Sequence, residues 1–285
     1  TATRRLLNHC ESRTWAWQAS LSTVYDNSTI YSRHWQRTSG RACFKGEHNT
    51  VIVLHEPKII ALKARKVGGT SFEIALSNYA SPSSIITPIT ADDERIRQAL
   101  GYRGPQHYLG SPEKRVAGQP LFYNHMSAAE ARTRLGDALW RSYTKIAIMR
   151  NPFDQAVSSY FWQVKTAQQR AALGFEAFIL ANPKRLFFNH AIYKIAGADV
   201  IDVMINYDHL RTDIEALEVS HPALLGLANT FSHIAAKGQY RPKNATTERM
   251  FEHAPRALEL IYRLFENEIH RHRFCVPGMG PGTDR

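Results

Sequence analysis

From Thr50 onward, short β-branched runs alternate with stretches whose apolar residues recur at helical spacing. "TVIVL" and "KIIAL" read as two strands around the tight turn "HEPK". Beyond the second run, Phe72, Ala75, Leu76 and Tyr79 follow a helical period that stops before Ser81 and Pro82. Residues 81 to 124 are rich in turn formers, with one helix expected about Ala91 to Leu100, and read as an excursion over a sheet edge. "SAAEARTRLGDALW" predicts a helix with Ser127 as N-cap and Glu130 completing a capping box. "TKIAIM" is the next strand. It runs into a helix with Asn151 as N-cap, Pro152 at the first position, and Phe153, Ala156, Val157, Tyr160, Phe161 and Val164 as a buried stripe. "VIDVMINY" predicts a further strand, followed by a helix from near Arg211 and a long basic helix from about Pro255 to His270. This alternation predicts an α/β fold, a central, mainly parallel sheet flanked by helices on both faces.

The first 49 residues carry Trp15, Trp17 and Trp35 but no sustained period, and read as an irregular N-terminal arm or cap. Residues 50 to 285 then form one domain. Composition changes this picture little: 285 residues with 44% hydrophobic and 21% charged positions are ordinary for a folded globular chain. Charge adds more, since 36 lysines and arginines against 25 acidic residues give +11, which suits an anionic partner as well as general solubility. The most apolar stretch, "VIVLHEPKIIAL", is broken by His55, Glu56, Pro57 and Lys58, well short of the ~18 residues of a membrane span. Cys10, Cys43 and Cys275 lack metal-ligand spacing, so no zinc site or disulfide framework is expected, and a single Cys10–Cys43 bridge stays open. The sequons at Asn27 and Asn244 matter only in a secreted setting. A cytoplasmic location is the expectation, with the Golgi lumen as the alternative if an N-terminal anchor preceded Thr1.

Candidate chemistry sits in two strand-loop-helix junctions, the positions at which open parallel sheets bind ligands. In "KARKVGGTSFE", Gly68 and Gly69 allow close approach of an anion, Thr70 and Ser71 add hydroxyls, and Lys66 adds a mobile charge. A nucleoside-triphosphate loop places its lysine after the glycines; Lys66 precedes them, which disfavours that ligand. Taken alone, the segment is equally a plain glycine turn with surface lysines. In "RNPFDQAVSSY", Arg150 ends the strand, and Ser158 lies about 9 Å along the helix axis from Pro152 at 1.5 Å per residue.

Together, "KVGGTS" and "RNPFDQAVSSY" resemble the paired motifs of the sulfotransferases that use 3'-phosphoadenosine 5'-phosphosulfate (PAPS). "FYNHMSAAEARTRLGDALWRSYTKIAIMRNPF" and "VIDVMINYDHLRTDI" extend the likeness toward the Golgi carbohydrate sulfotransferases and their bacterial relatives, over roughly residues 50 to 274. Arg65 stands where the family usually has proline. The resemblance implies a P-loop-like sulfotransferase architecture. Arg65, Lys66, Gly68, Gly69, Thr70 and Ser71 would hold the 5'-phosphosulfate, Arg150 and Ser158 the 3'-phosphate, with Lys237, Arg241 and Lys243 of "KGQYRPKNAT" closing over it. It also implies Lys66 as the cation for the leaving group and His125 as the base, with His107 as runner-up; imidazole suits proton abstraction near neutrality. The donor would be PAPS, the product 3',5'-bisphosphoadenosine (PAP), with no metal. The expected acceptor is a carbohydrate hydroxyl, with a small alcohol or amine as the alternative and a noncatalytic anion-binding protein as the other class. No nucleic-acid motif is present, so nucleic acid is not an expected partner.

Overall fold

The computed structural model describes residues 51–110, 121–123, 125–234 and 240–279. The predicted arm with its three tryptophans, Cys10, Cys43 and Asn27, and also Lys237, lie outside the described residues.

Strands β1 (Val51–Leu54) and β2 (Ile59–Leu62) form an antiparallel hairpin closed by the pair Leu54 and Ile59. The turn between them is too short for a crossover helix, which forces the antiparallel arrangement. β3 (Ile85–Ile86) pairs antiparallel with the other edge of β1, whereas β4 (Thr144–Met149) adds to β2 in parallel. Residues Lys194–Ile195 (β5) and Ala198–Asp199 (β6) make a separate small hairpin, and β7 (Val203–Asn206) pairs parallel with β4. The main sheet has the order β3-β1-β2-β4-β7. All its strands but β1 point one way, so the expected mainly parallel sheet is a mixed one with a parallel half, β2-β4-β7.

Helices α1 (Gly69–Ser77), α2 (Ala91–Ala99), α3 (Ala128–Leu135), α4 (Asp137–Ser142) and α5 (Pro152–Gln163) lie between the strands. After them come α6 (Ala167–Ala172), α7 (Phe175–Ala181), α8 (His190–Tyr193), α9 (Leu210–Ser220), α10 (Leu227–Ser232), α11 (Thr247–Glu252) and α12 (Pro255–His272). Among the described residues, α1 packs with α2 and α10, α10 with α9, α3 with α4 and α8, and α5 with α7, α11 and α12. The capping box of Ser127 and Glu130 is present, as is the Asn151 cap followed by Pro152. The whole predicted stripe of α5 is buried. Tyr160 meets Phe161, Phe175 and Phe178 edge-on, and Phe153 meets Phe251. Each such side chain contributes about 1.5–3 kcal/mol when fully buried, so this face anchors the helix that carries Ser158.

Two expectations are corrected. The helix predicted over residues 127 to 140 is two helices, because Gly136 adopts φ 85°, ψ 151°, a region closed to residues with a side chain, and starts the second helix with its own carbonyl. "VIDVMINY" is extended only from Val203 to Asn206, and Tyr207 already begins a 3-10 turn. The short helices between residues 167 and 193 had no legible period, since none completes more than two turns.

Candidate functional site

The parallel half of the sheet delivers three strand ends to one place. The loop after β2 carries Lys66, Arg150 directly follows the end of β4, and Tyr207 directly follows the end of β7. The β2 loop turns through two residues with positive φ, Lys66 at 62° and Gly68 at 74°. Gly68 occupies the N-cap position of α1 and offers no capping side chain of its own, so the first N–H groups of the helix depend on other partners. A Cβ on Gly68 would stand 3.2 Å from the Tyr207 ring, and one on Gly69 2.9 Å from Cγ of Lys63. Gly68→Ala is expected to cost about 1–2 kcal/mol through its left-handed backbone alone, read as a lowered urea midpoint. An unchanged midpoint would show that the loop takes another path.

A side chain from far along the sequence shapes the same loop. Asn189 is 2% exposed; its Oδ1 accepts the Arg65 N–H at 2.8 Å and its Nδ2 donates to the Arg65 carbonyl at 3.1 Å. Gln155 Nε2 also donates to that carbonyl, at 3.3 Å. Proline at this position would have no N–H for Asn189, so Arg65 and Asn189 form a matched pair. Asn189→Ala leaves the Arg65 N–H without its partner, and a loss of about 1–3 kcal/mol is expected in chemical denaturation. The wild-type midpoint in that variant would remove the clamp from the account of the loop.

Beside the loop lies a cleft of about 470 Å³ lined by Lys66, Arg150, Ser158, Tyr207 and residues 240–243 and 245–248. Its volume lies within the usual range for small-molecule sites, ~300–1,000 Å³. Lys66 Nζ stands 4.3 Å from the centroid of the Trp162 ring, and Tyr240 meets Trp162 edge-on. Arg150 lies over the Tyr207 ring at 4.1 Å and donates from Nη1 to the Lys66 carbonyl at 2.9 Å, so the two junctions touch directly. Asp154 accepts from Arg150 Nε, Arg241 Nη1 and Thr247 Oγ1. Burial pushes the Asp154 carboxyl up, but the charge of Arg150 and the hydrogen bonds from Thr247, Arg241 and Arg150 outweigh burial and hold it below its ordinary range. Its contribution to stability is therefore present at neutral pH and is lost as the pH falls from about 4 through the lower folded value.

The cleft thus brings together Lys66, Arg150, Ser158, Arg241 and Lys243 from three separated stretches of sequence. Thr70 and Ser71 are buried in the first turn of α1. The Arg65 guanidinium lies over the exposed Phe188 ring at 4.7 Å and does not line the cleft. His125, at φ 53°, does not line it either. Its Nδ1 is 2.9 Å from the Lys63 carbonyl, which can only accept, so the neutral ring carries its lone pair on Nε2. His107 sits beside edge strand β3, with Nε2 2.8 Å from the Pro82 carbonyl, away from the loop. Sequence reasoning missed Tyr207, Trp162, Tyr240, Asp154 and Asn189. Asp154 had a signal, one helical turn beyond Arg150, whereas Asn189 had none.

The fold and the site define an α/β protein with a cationic cleft at the carboxyl ends of parallel strands. Compared with protein-family models, curated proteins and solved structures, the chain matches none.

Proposed function

We propose that this chain is a sulfotransferase that moves the sulfuryl group of PAPS to an acceptor hydroxyl, that of a carbohydrate. The observation that carries this reading is the convergence of Lys66, Arg150, Ser158, Arg241 and Lys243 on one cleft. Those residues stand out in the sequence through two spaced motifs and a late basic loop, before any geometry enters. The residues fit the donor: a cluster of guanidinium and ammonium groups with a hydroxyl suits phosphate, and Trp162 and Tyr240 add aromatic surface at the Lys66 end.

Arg150, Ser158, Arg241 and Lys243 would hold the 3'-phosphate, and Lys66 with the N-terminus of α1 the 5'-phosphate. When bound, the donor supplies a sulfuryl group on a phosphate leaving group, and transfer in line places the demand on positioning and charge. Lys66 neutralises the negative charge that develops on the phosphate oxygen as the S–O bond breaks. His125, outside the lining of the cleft but tied to the Lys63 carbonyl where the β2 loop starts, would accept the acceptor's hydroxyl proton at Nε2, with that carbonyl holding the ring and its tautomer.

Calorimetry with PAP tests the binding half. Wild-type protein is expected to bind, and Arg150→Ala to bind about 10- to 100-fold more weakly, the worth of a charge-assisted contact. Labelled PAPS with a panel of glycans and small alcohols tests the chemistry. PAP binding without transfer to any acceptor would leave a noncatalytic anion-binding protein, and turnover of small alcohols alone would overturn the carbohydrate acceptor.

A further inference from the structure

Asp154 accepts from three residues that line the cleft, Arg150, Arg241 and Thr247, yet it does not line the cleft itself. Its Oδ2 accepts from Arg150 Nε at the end of β4, and its Oδ1 accepts from Arg241 Nη1 and, at 2.6 Å, from Thr247 Oγ1. Arg241 is fixed further by Nε donating to the Ala245 carbonyl at 2.6 Å and Nη2 to Thr247 Oγ1 at 3.1 Å. A single carboxylate thus gathers two guanidinium groups that start 91 positions apart in the chain. The Tyr240 to Thr247 segment is held to the β4–α5 junction through the same carboxylate. A guanidinium is a planar fork with five N–H groups. Arg150 spends Nε and Nη1 on Asp154 and the Lys66 carbonyl, which leaves its Nη2 for a ligand, whereas Arg241 donates from all three nitrogens and keeps one further N–H on each Nη.

We infer that Asp154 is the positioning residue of the phosphate end of the cleft. It presents Arg150 and Arg241 as one preorganised pair, so that selectivity for a phosphate monoester there runs through a side chain that does not touch the ligand. This rests on the sulfotransferase reading for the identity of the ligand, but the tie between the two segments does not. An opposing role is also physically definite: a carboxylate that merely lowers the cleft's positive charge would weaken anion binding, and its removal would tighten it.

The two roles predict opposite results for Asp154→Asn, which keeps the shape but loses the charge and turns an N–H toward a guanidinium. PAP and adenosine 5'-monophosphate are titrated into wild-type and variant protein by calorimetry; they differ by the 3'-phosphate. The positioning role predicts that PAP binds the variant about 10- to 100-fold more weakly while the monophosphate is nearly unaffected, so the preference for PAP collapses. Tighter PAP binding, or an equal loss for both nucleotides, overturns it. Hydrogen exchange without ligand is the second readout, and faster exchange across residues 240 to 247 in the variant is expected. Unchanged exchange there means that the carboxylate does not tie the segment. Failure of the wild type to bind PAP sinks the sulfotransferase reading, and the exchange comparison then still decides the tie. If Asp154→Asn does not fold, the isosteric Thr247→Val removes one donor to the carboxylate. A selective loss of PAP affinity of about fivefold is expected there, and no selective loss overturns the inference.

Discussion

Lys66→Ala is expected to lower kcat for sulfate transfer by about 10²–10³, with a much smaller effect on the KM for PAPS. The asymmetry follows from where the charge is needed. On the proposed sulfotransferase reading, the 3'-phosphate end would keep Arg150, Arg241 and Lys243, so binding of PAPS would survive, while the leaving group would lose the cation opposite its developing charge. Lys66 sits in a loop whose backbone is fixed on both sides, by the Arg150 contact to its own carbonyl and by the Asn189 clamp on Arg65. Its side chain lies against Trp162. Removing the ammonium therefore leaves the loop in place, and the loss reports charge rather than collapse. His125→Ala is expected to act on the same quantity, by about 10²–10⁴, through loss of the proton acceptor. Steady-state transfer from PAPS, alongside melting curves of each variant, separates the effects. Turnover near wild type in Lys66→Ala would remove it as the leaving-group cation, and the same result for His125→Ala would remove it as the base.

The largest effect on stability is expected at Glu73, on the face of α1 away from solvent. Its carboxylate, in a residue 3% exposed, pairs with Lys63 at 3.0 Å and with Arg97 at 3.1 Å. The Arg97 side chain is itself almost wholly buried, and its Nε has no hydrogen-bond partner among the described residues. Glu73→Ala removes the carboxylate that Lys63 and Arg97 share, while Glu94 stays paired with Arg97. Breaking a buried pair from one side costs about 3–5 kcal/mol, a large share of the about 5–15 kcal/mol that holds a domain of this kind together. Glu73→Gln keeps the shape and one acceptor and should lose less. Urea denaturation of both variants checks this, and a loss below about 1 kcal/mol in Glu73→Ala would show that the pairs contribute nothing net. The effect should reach the site as well. Lys63 opens the β2 loop, and its carbonyl orients His125.

Much of the scaffold was legible because it is written in interactions within a turn or two of chain. Ser127 with Glu130 and Asn151 with Pro152 announce helix starts through bonds to backbone groups two or three residues away. The stripe from Phe153 to Val164 announces which face of α5 is buried. The two junctions were legible for the same reason, since residue type and order at a strand end state which charges the loop can offer. Where local pattern failed, a single backbone angle or a short element was responsible. The apolar period runs straight across Gly136, and only its φ and ψ break the helix.

By itself the sequence determined the alternation of strands and helices, the caps, the buried stripe and the identity of the charged groups at two strand ends. The tertiary structure alone decided that Arg150 reaches the Lys66 carbonyl, that Asn189 clamps Arg65, and that Asp154 gathers Arg150 with Arg241. It also decided that His107 lies at the sheet edge while His125 lies on the loop. The reason is physical: caps and periodicities are satisfied within a few residues, whereas these contacts join groups distant in the chain. Their partners are selected by strand order and core packing, which no local pattern records.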